Sequence, residues 1–273
     1  MNNYAIITDD AAQGIRKELG GKVNFVNINY CYPLENKLSK DYFRQYLPLH
    51  KHPTIQLLTE EELTNLLVTV NADFDEVFCL LSAGGISQLY LSIEGLSKKY
   101  KGRANFHLID TETLSVGQGF LVNYILQRIQ KYVPAQSIEE NIREMIPKIY
   151  TLLCTPDLSY LYSNGFLDTG QLIAGEQHSI YPVFSLENGL VNPLEKFKNF
   201  HGIEEFLIEF LEEYENLQEL AFILPKNNNL PFFQEVKRFS TENIKVKSYL
   251  EVRSNNYLTN LIGPNGFGMI MIE

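Results

Sequence analysis

Short apolar segments alternate with longer segments of helical spacing through the first half of the chain, and this alternation constrains the fold most strongly. Each apolar segment has the length of a strand and ends in polar or glycine-rich residues. Strands that alternate with helices pair in parallel and are covered by helices on both faces. The first half is therefore predicted to be an α/β domain with a mostly parallel sheet. The predicted strands are Tyr4–Thr8, Val23–Tyr30, Glu76–Leu81 and Asn105–Ile109.

Four helices are predicted in the same half. Thr59 and Glu62 have the spacing of a capping box, in which each residue caps the backbone of the other. Ser137 and Glu140 repeat that spacing. Both pairs are typical of the first turn of a helix. The predicted helices are Thr59–Val70, Ser87–Tyr100, Ser115–Tyr132 and Ser137–Met145.

The second half has a different pattern. Asn188 and Gly189 form the dipeptide that is most typical of a two-residue hairpin turn, and they separate the strand candidates Ile180–Leu186 and Leu190–Lys196. Apolar residues recur at helical spacing in Ile203–Tyr214. We therefore predict two domains, an α/β domain over residues 1–148 and an α+β domain over residues 149–273. The other predicted strands are Ile149–Cys154, Leu220–Leu224, Ile244–Val252 and Gly268–Ile272.

Composition narrows the class of protein. The 273 residues carry a formal net charge of −10, which argues against partners such as nucleic acid or anionic membrane surfaces. The chain has no apolar run near the ~18 residues of a membrane span, and its start does not resemble a secretory signal. The three cysteines, Cys31, Cys79 and Cys154, lie far apart among apolar neighbours. They are predicted to be reduced core residues of a cytoplasmic protein, without a disulfide framework or a zinc site.

The common catalytic signatures are absent from the sequence, which lacks a phosphate-binding loop, a complete GxGxxG and a GxSxG elbow. Asp9 and Asp10 end the first predicted strand, where α/β proteins often place ligand groups. Capping of a following helix by one of these carboxylates is an equally supported alternative. His50 and His52 are spaced to share a strand face, but no carboxylate or cysteine lies near them, so a solvated loop is preferred. We predict no metal and no cofactor.

Several segments, read in order, resemble the DegV family of bacterial fatty-acid-binding proteins. Ile6–Asp10 is similar to the family's opening strand with its Thr-Asp-Ser, and Pro53–Leu57 is similar to its Thr-Ser-Gln-Pro-Ser segment. Gly85–Tyr90 is similar to its Leu-Ser-Gly-Thr-Tyr loop. The order and spacing of these matches across nearly the whole chain carry the resemblance. Further matching segments are Ile109–Gly119, Leu158–Leu167, Tyr181–Gly189 and Gly263–Gly266.

The resemblance implies a two-domain fold that holds one long-chain fatty acid between the domains. It implies that residues 1–148 bind the carboxylate near the surface and that residues 149–273 cover the acyl chain. It also implies a carrier that is not itself a catalyst. Such carriers present the acid to the catalytic subunit of a fatty-acid kinase, which forms an acyl phosphate.

Thr54 and Ser87 match family hydroxyls that bind the carboxylate. Their chemistry fits this role, because hydroxyls and backbone N–H groups at a helix start donate hydrogen bonds to anions. The alternatives are a loop hydroxyl for Thr54 and a plain N-cap for Ser87. The predicted ligand-binding residues are Asp9, Asp10, Thr54, Gln56, Ser87, Asn260, Gly263 and Asn265.

This sequence departs from the family pattern at the inferred head-group site. The family serine after Thr54 is Ile55 here, the threonine of the serine loop is Leu89, and the histidine that helps to bind the carboxylate is Leu261. We predict that these changes favour a less polar ligand, with Asn260 or Asn265 as a replacement donor. A family arginine is Phe166 here, which weakens the case for kinase docking.

Two alternative functions remain open at this stage. The first is a phosphotransfer enzyme related to the dihydroxyacetone-binding kinase subunit, which attaches its substrate through a histidine. His107 is the candidate for that role, although its position within a strand pattern favours burial. The second alternative is a degenerate member that has lost its ligand and acts as an interaction module.

Overall fold

The computed structural model describes residues 3–20, 23–30, 56–100, 102–226 and 230–273. These residues divide into two compact units. The first unit contains the described residues up to Tyr30, together with Gln56–Ile149 and Leu186–Leu190. The second unit contains Tyr150–Ser185 and the described part of Val191–Glu273. The ligand-binding roles assigned to the two domains stay predictions.

A four-stranded parallel sheet forms the centre of the first unit. The strand order is β2-β1-β3-β4, and all three neighbouring pairs are parallel. The prediction of an α/β fold with a parallel sheet is confirmed. Because the strands are parallel, β1, β2, β3 and β4 all end at one edge of the sheet. The strands are β1 (Tyr4–Asp9), β2 (Asn24–Ile28), β3 (Glu76–Leu81) and β4 (Asn105–Asp110).

Among the described residues of this half, four α-helices accompany the sheet, and the starts of two of them test the capping predictions. The Thr59 side chain accepts from the N–H of Glu62, and the Glu62 side chain accepts from the N–H of Thr59, so the first capping box is confirmed. The second is wrong, because that helix begins two residues before Ser137, after Pro134. The helices are α1 (Glu60–Asp73), α2 (Leu89–Lys99), α3 (Ser115–Gln130) and α4 (Ala135–Met145).

A six-stranded sheet forms the centre of the second half of the chain. Its order is β7-β6-β5-β10-β8-β9, with β10 antiparallel to β8 and β8 parallel to β9. Asn188 and Gly189 have φ angles of 52° and 74°, which confirms the predicted hairpin turn. The strands are β5 (Ile149–Cys154), β6 (Tyr181–Glu187), β7 (Leu190–Phe197), β8 (Asn216–Leu224), β9 (Lys245–Arg253) and β10 (Phe267–Ile272).

The described residues of this half contain five helices, and sequence periodicity predicted one of them. The amphipathic helix is confirmed as α7, which buries Ile203, Leu207 and Leu211. The predictions lacked α5, α6 and α8, although Asp168 and Gln171 form a capping box at the start of α6. They also lacked α9, which has only seven residues. The helices are α5 (Leu158–Ser163), α6 (Thr169–Gln177), α7 (Phe200–Glu212), α8 (Phe233–Asn243) and α9 (Asn256–Ile262).

Two of the three cysteines lie in the cores. Cys79 on β3 is fully buried, and Cys154 on β5 is 2% exposed, as predicted for small apolar core residues. Cys31 lies outside the described residues. Within the described part of the chain, no helix is both long enough and apolar enough to cross a membrane.

A matched pair of glycines tests the packing of the first unit. A Cβ on Gly119 of α3 would lie 1.8 Å from the carbonyl oxygen of Gln13, whereas a Cβ on Gly95 of α2 would enter open space. We expect Gly119→Ala to lower the free energy of unfolding by about 2 kcal/mol or more. Gly95→Ala should raise it by about 0.5–1 kcal/mol. Urea denaturation followed by circular dichroism measures both, and equal shifts would contradict this packing.

Candidate functional site

The side chain of Asp9 lies at the carboxyl end of β1 and has no exposed surface. Its Oδ1 accepts from the N–H of Ala11 at 3.2 Å and from Nε2 of Gln118 at 3.0 Å. Its Oδ2 accepts from the N–H and the hydroxyl of Ser82, at 3.0 and 2.8 Å, and from the hydroxyl of Tyr30 at 3.0 Å. Tyr30 and Ser82 follow the two strands that flank β1, so the shared sheet edge brings these groups together.

Burial raises the pKa of the Asp9 carboxyl, and the hydrogen bonds from Ser82, Gln118 and Tyr30 act in the opposite direction. With five donors and no exposed surface, the carboxylate positions its neighbours and is not open to solvent. The alternative that Asp9 caps a following helix does not describe the structure either. The residues that follow Asp9 form turns, and the next helical residues are the 3₁₀ turn Lys17–Gly20.

Ser87 is connected to Asp9 through one tyrosine. The Ser87 Oγ lies 2.9 Å from the hydroxyl oxygen of Tyr30, and it also accepts from the N–H of Leu89 at 3.2 Å. The N-cap residue of α2 is Gln88, which makes no side-chain capping bond. The structure thus joins two predicted site residues, Asp9 and Ser87, at the start of α2. Ser87 is 7% exposed.

Tyr30 was not recognised as a site residue from the sequence. It is 3% exposed, and its hydroxyl contacts both Asp9 and Ser87. It lies just after β2, and the signal available in the sequence was its place at the end of the predicted strand Val23–Tyr30. The parallel pairing of Asp9 with Ile28 places that strand end against Asp9, but pairing is not visible in a single sequence.

Gln118 of α3 closes the same network from the helix side. Its Nε2 lies 3.0 Å from the Thr8 hydroxyl and 3.2 Å from the Leu80 carbonyl oxygen, as well as 3.0 Å from Asp9. The adjacent Gly119 allows α3 to approach the loop after β1 closely. The Gly-Gln-Gly sequence, which stops short of a nucleotide-binding fingerprint, therefore has a structural role in this site.

A second carboxylate holds the loop that leads to Ser87. Asp110 at the end of β4 accepts from the N–H of Gly84 at 3.1 Å and from the N–H of Glu112 at 2.9 Å. A Cβ on Gly84 would lie 2.6 Å from the Asp110 Oδ2, so a larger residue here would displace the Asp110 carboxylate. The N–H of Gly85 donates to the Gly189 carbonyl oxygen at 3.1 Å. Burial raises the pKa of the Asp110 carboxyl.

The other residues predicted in the first third of the chain are Asp10, Thr54 and Gln56. Asp10 is half-buried, and its Oδ1 accepts from the N–H of Tyr30 at 3.4 Å. Gln56 is exposed. Thr54, with its neighbour Ile55, lies outside the described residues, as do His50 and His52.

Asn260, Gly263 and Asn265 belong to the second unit. Asn260 on α9 is 7% exposed, and its Nδ2 donates to the Asn256 carbonyl oxygen at 2.8 Å. Gly263 ends α9 with a φ of 81°, where a Cβ would lie 2.8 Å from the Tyr160 ring. Asn265 is exposed. The structure therefore groups Asp9 with Ser87 and describes these three residues in another unit.

His107 is buried on β4, as its strand pattern predicted. Its Nε2 lies 3.0 Å from Glu76 Oε2, and its Nδ1 lies 2.6 Å from Glu139 Oε2. Burial acts to raise the pKa of Glu139, but hydrogen bonds from His107 and Arg143 outweigh it and lower that pKa. Each ring nitrogen is hydrogen-bonded to a glutamate. His107 therefore links α4 to the sheet and is not an accessible nucleophile. Among the described residues, no group of three or more His, Cys, Asp or Glu side chains is arranged to hold a metal ion.

The two units, with a parallel four-stranded sheet in one and a mixed α+β architecture in the other, define a class of two-domain α/β proteins. Comparison with protein families places the chain within that class. The family model described as "Uncharacterised protein, DegV family" matches residues 23–273. The chain belongs to the DegV family.

Individual relatives match at low identity over their full length. A DegV domain-containing protein of Caldanaerobacter subterraneus is 21% identical over 280 residues, with 100% of both chains covered. The crystal structure of a fatty acid binding DegV family protein from Streptococcus agalactiae is similar with a TM-score of 0.80 at 22% identity, covering 100% of this chain and 99% of that one. A DegV family protein from Eubacterium eligens, loaded with heptadecanoic acid, is similar with a TM-score of 0.75 at 14% identity, covering 98% and 99%.

The contacts of Asp9 predict the effect of removing its charge. Asp9→Asn places an amide N–H₂ against the donors of Ser82 and Tyr30 or against those of Ala11 and Gln118. We expect the free energy of unfolding to fall by about 2–3 kcal/mol, because a buried donor then lacks an acceptor. The exposed Asp73 on α1 provides the control, and Asp73→Asn should change stability by less than about 0.5 kcal/mol. Similar values for the two variants in chemical denaturation would refute the role given to Asp9.

The contacts of His107 with Glu76 and Glu139 predict that removing the histidine also lowers the stability of the protein. His107→Ala leaves Glu76 and Glu139 without their shared partner inside the unit, and we expect a loss of about 3 kcal/mol of stability. His201→Ala on α7 is the matched control, because His201 is exposed and pairs with the exposed Glu205. Thermal and urea unfolding of both variants measure the difference. A His107→Ala protein as stable as the control would mean that the cluster contributes no net stability.

Proposed function

We propose that this protein binds a long-chain fatty acid or a related amphiphile and carries it without transforming it. The observation that supports this proposal best is the hydrogen-bonded chain from buried Asp9 through Tyr30 to Ser87. It orients one hydroxyl at the start of α2, at the position where the DegV family resemblance expects a head-group contact. One relative described as fatty acid binding, and another loaded with heptadecanoic acid, share this fold over 99% of their own lengths.

The energetics favour recognition of the acyl chain over recognition of the head group. Each buried methylene contributes ~0.8 kcal/mol, so a long tail provides on the order of ten kcal/mol before ordering costs. A hydrogen bond to a charged group contributes ~1.5–3 kcal/mol. Loss of one head-group donor therefore weakens binding and does not abolish it. This is why the departures from the family pattern are compatible with a lipid ligand.

The departures also suggest the character of the ligand. Leu89 is fully buried and Leu261 is 2% exposed. Both stand where the family resemblance expects polar side chains. Apolar groups at these positions support our proposal that the head group is less polar than a free carboxylate. Thr54, Gln56, Asp10, Asn260, Gly263 and Asn265 remain proposed ligand-binding residues.

The wider role is part of the same proposal. The domain of residues 1–148 would bind the head group, and the domain of residues 149–273 would bind the acyl chain. The carrier would act in the cytoplasm and, when its ligand is a carboxylic acid, present it to the catalytic subunit of a fatty-acid kinase. The occupied ring nitrogens of His107 weigh against the alternative of a phosphotransfer enzyme, because a nucleophilic histidine needs one nitrogen accessible to its substrate.

Native mass spectrometry of the purified protein, followed by organic extraction, tests the proposal directly. We expect one retained amphiphile per chain. Ser87→Ala should weaken binding of that ligand about tenfold, because one head-group hydrogen bond is lost. Ser97→Ala, at the other end of α2, is the matched control and should bind with unchanged affinity.

Three outcomes would contradict the proposal or narrow it. A protein that is purified empty and takes up no added fatty acid, alcohol or ester is not a lipid carrier. Equal or tighter binding of a free fatty acid compared with its methyl ester would contradict the less polar head group. Equal effects of Ser87→Ala and Ser97→Ala would remove Ser87 from the site.

A further inference from the structure

The chain of hydroxyls between Asp9 and Ser87 has a defined direction. A tyrosine hydroxyl carries one hydrogen, and that of Tyr30 is donated to Asp9 Oδ2 at 3.0 Å. Three of the five groups that bond to Asp9 are N–H donors, from Ala11, Ser82 and Gln118. N–H groups cannot reverse their polarity, so the carboxylate is held as an acceptor and the Tyr30 hydrogen points toward it.

The direction of the first bond determines the second. Since the hydrogen of Tyr30 is used on Asp9, the 2.9 Å contact between Tyr30 and Ser87 requires Ser87 to be the donor. The Ser87 oxygen also accepts from the N–H of Leu89 at 3.2 Å. The only hydroxyl hydrogen of Ser87 is therefore donated to Tyr30, within the protein. What Ser87 can offer to a ligand is its remaining lone pair.

We propose that the Asp9–Tyr30 pair makes Ser87 a hydrogen-bond acceptor toward its ligand, so that the site selects an amphiphile whose head group carries an O–H. Two sources have that chemistry, a long-chain alcohol and a protonated carboxylic acid. A carboxylate does not, because it only accepts. The inference rests on the proposed function, and it makes Tyr30 a positioning residue that determines head-group specificity.

The fully buried Leu89 supports the same specificity. Its side chain follows the loop residue Ser87 in place of a family threonine, so it supplies no second hydroxyl donor there. An anionic head group at Ser87 would meet an oxygen lone pair beside the negative Asp9 network. A neutral O–H group meets the same lone pair favourably.

Binding to the wild-type protein provides the first test. Dissociation constants are measured for a long-chain alcohol, the acid of equal chain length and its methyl ester, at pH 8, where the acid is ionised. We expect the alcohol to bind about tenfold more tightly than the other two, because only the alcohol donates a hydrogen bond. Repeating the acid measurement at pH 5 separates the two sources. Tighter binding of the acid at pH 5 would add the protonated acid as a ligand, and unchanged binding would restrict the site to alcohols.

Tyr30→Phe provides the second test. Without the tyrosine oxygen, the Ser87 hydroxyl is released and can donate to a carboxylate. We expect the preference for alcohol over ionised acid to fall about tenfold. Tyr4→Phe is the matched control, because Tyr4 lies at the opposite end of β1 from Asp9. It should keep the wild-type ratio.

The outcomes separate this inference from the function on which it rests. Ionised acid that binds the wild type as tightly as the alcohol, or more tightly, would overturn the inference and leave the carrier function standing. An unchanged ratio in folded Tyr30→Phe would overturn it as well. Failure of all three ligands to bind would overturn both. If Tyr30→Phe does not fold, the ranking of ligands by the wild-type protein decides alone.

Discussion

The candidate site in the first unit depends on the hydrogen bonds of the buried Asp9 carboxylate. The carboxylate collects donors from the loop after its own strand, from the ends of the two neighbouring strands and from α3. An ionised group without exposed surface is costly unless its oxygens are satisfied, and here five hydrogen bonds satisfy them. The parallel sheet makes this possible because it places several strand ends at one edge.

Specificity and affinity have separate physical sources in the proposed carrier. The apolar tail supplies most of the binding free energy, and that energy has no direction. Discrimination between head groups depends on which partner donates a hydrogen, and this is determined inside the protein by the Asp9–Tyr30–Ser87 chain. Family members with the same fold can therefore differ in ligand through a few changes around one hydroxyl. In the proposed site, Leu89 is a change of that kind, two residues after Ser87.

Local patterns were sufficient for much of the architecture. The four parallel strands, the Asn188-Gly189 hairpin and the capping box of Thr59 each depend on residues close in sequence, and each is confirmed. Ser137 shows the limit of such patterns. Its spacing to Glu140 is that of a capping box, but Pro134 already starts the helix, so Ser137 lies inside it. Four helices of the second unit were missed, and two of them, α5 and α9, have only six and seven residues, which is too short for helical periodicity to show.

For the candidate site, too, local sequence patterns predicted one part and only the folded chain shows the rest. The residues of this chain alone indicated a parallel sheet with Asp9 at the end of its first strand, because hydrophobic periodicity and strand length are local properties. The resemblance to the family added Ser87. Neither could show that Tyr30 stands between them, nor that Gln118 reaches Asp9 from 109 positions away. Those contacts depend on strand order and on the close approach of α3 at Gly119. Only the folded chain decides which hydroxyl donates and which accepts, because hydrogen-bond direction follows from the whole set of neighbours.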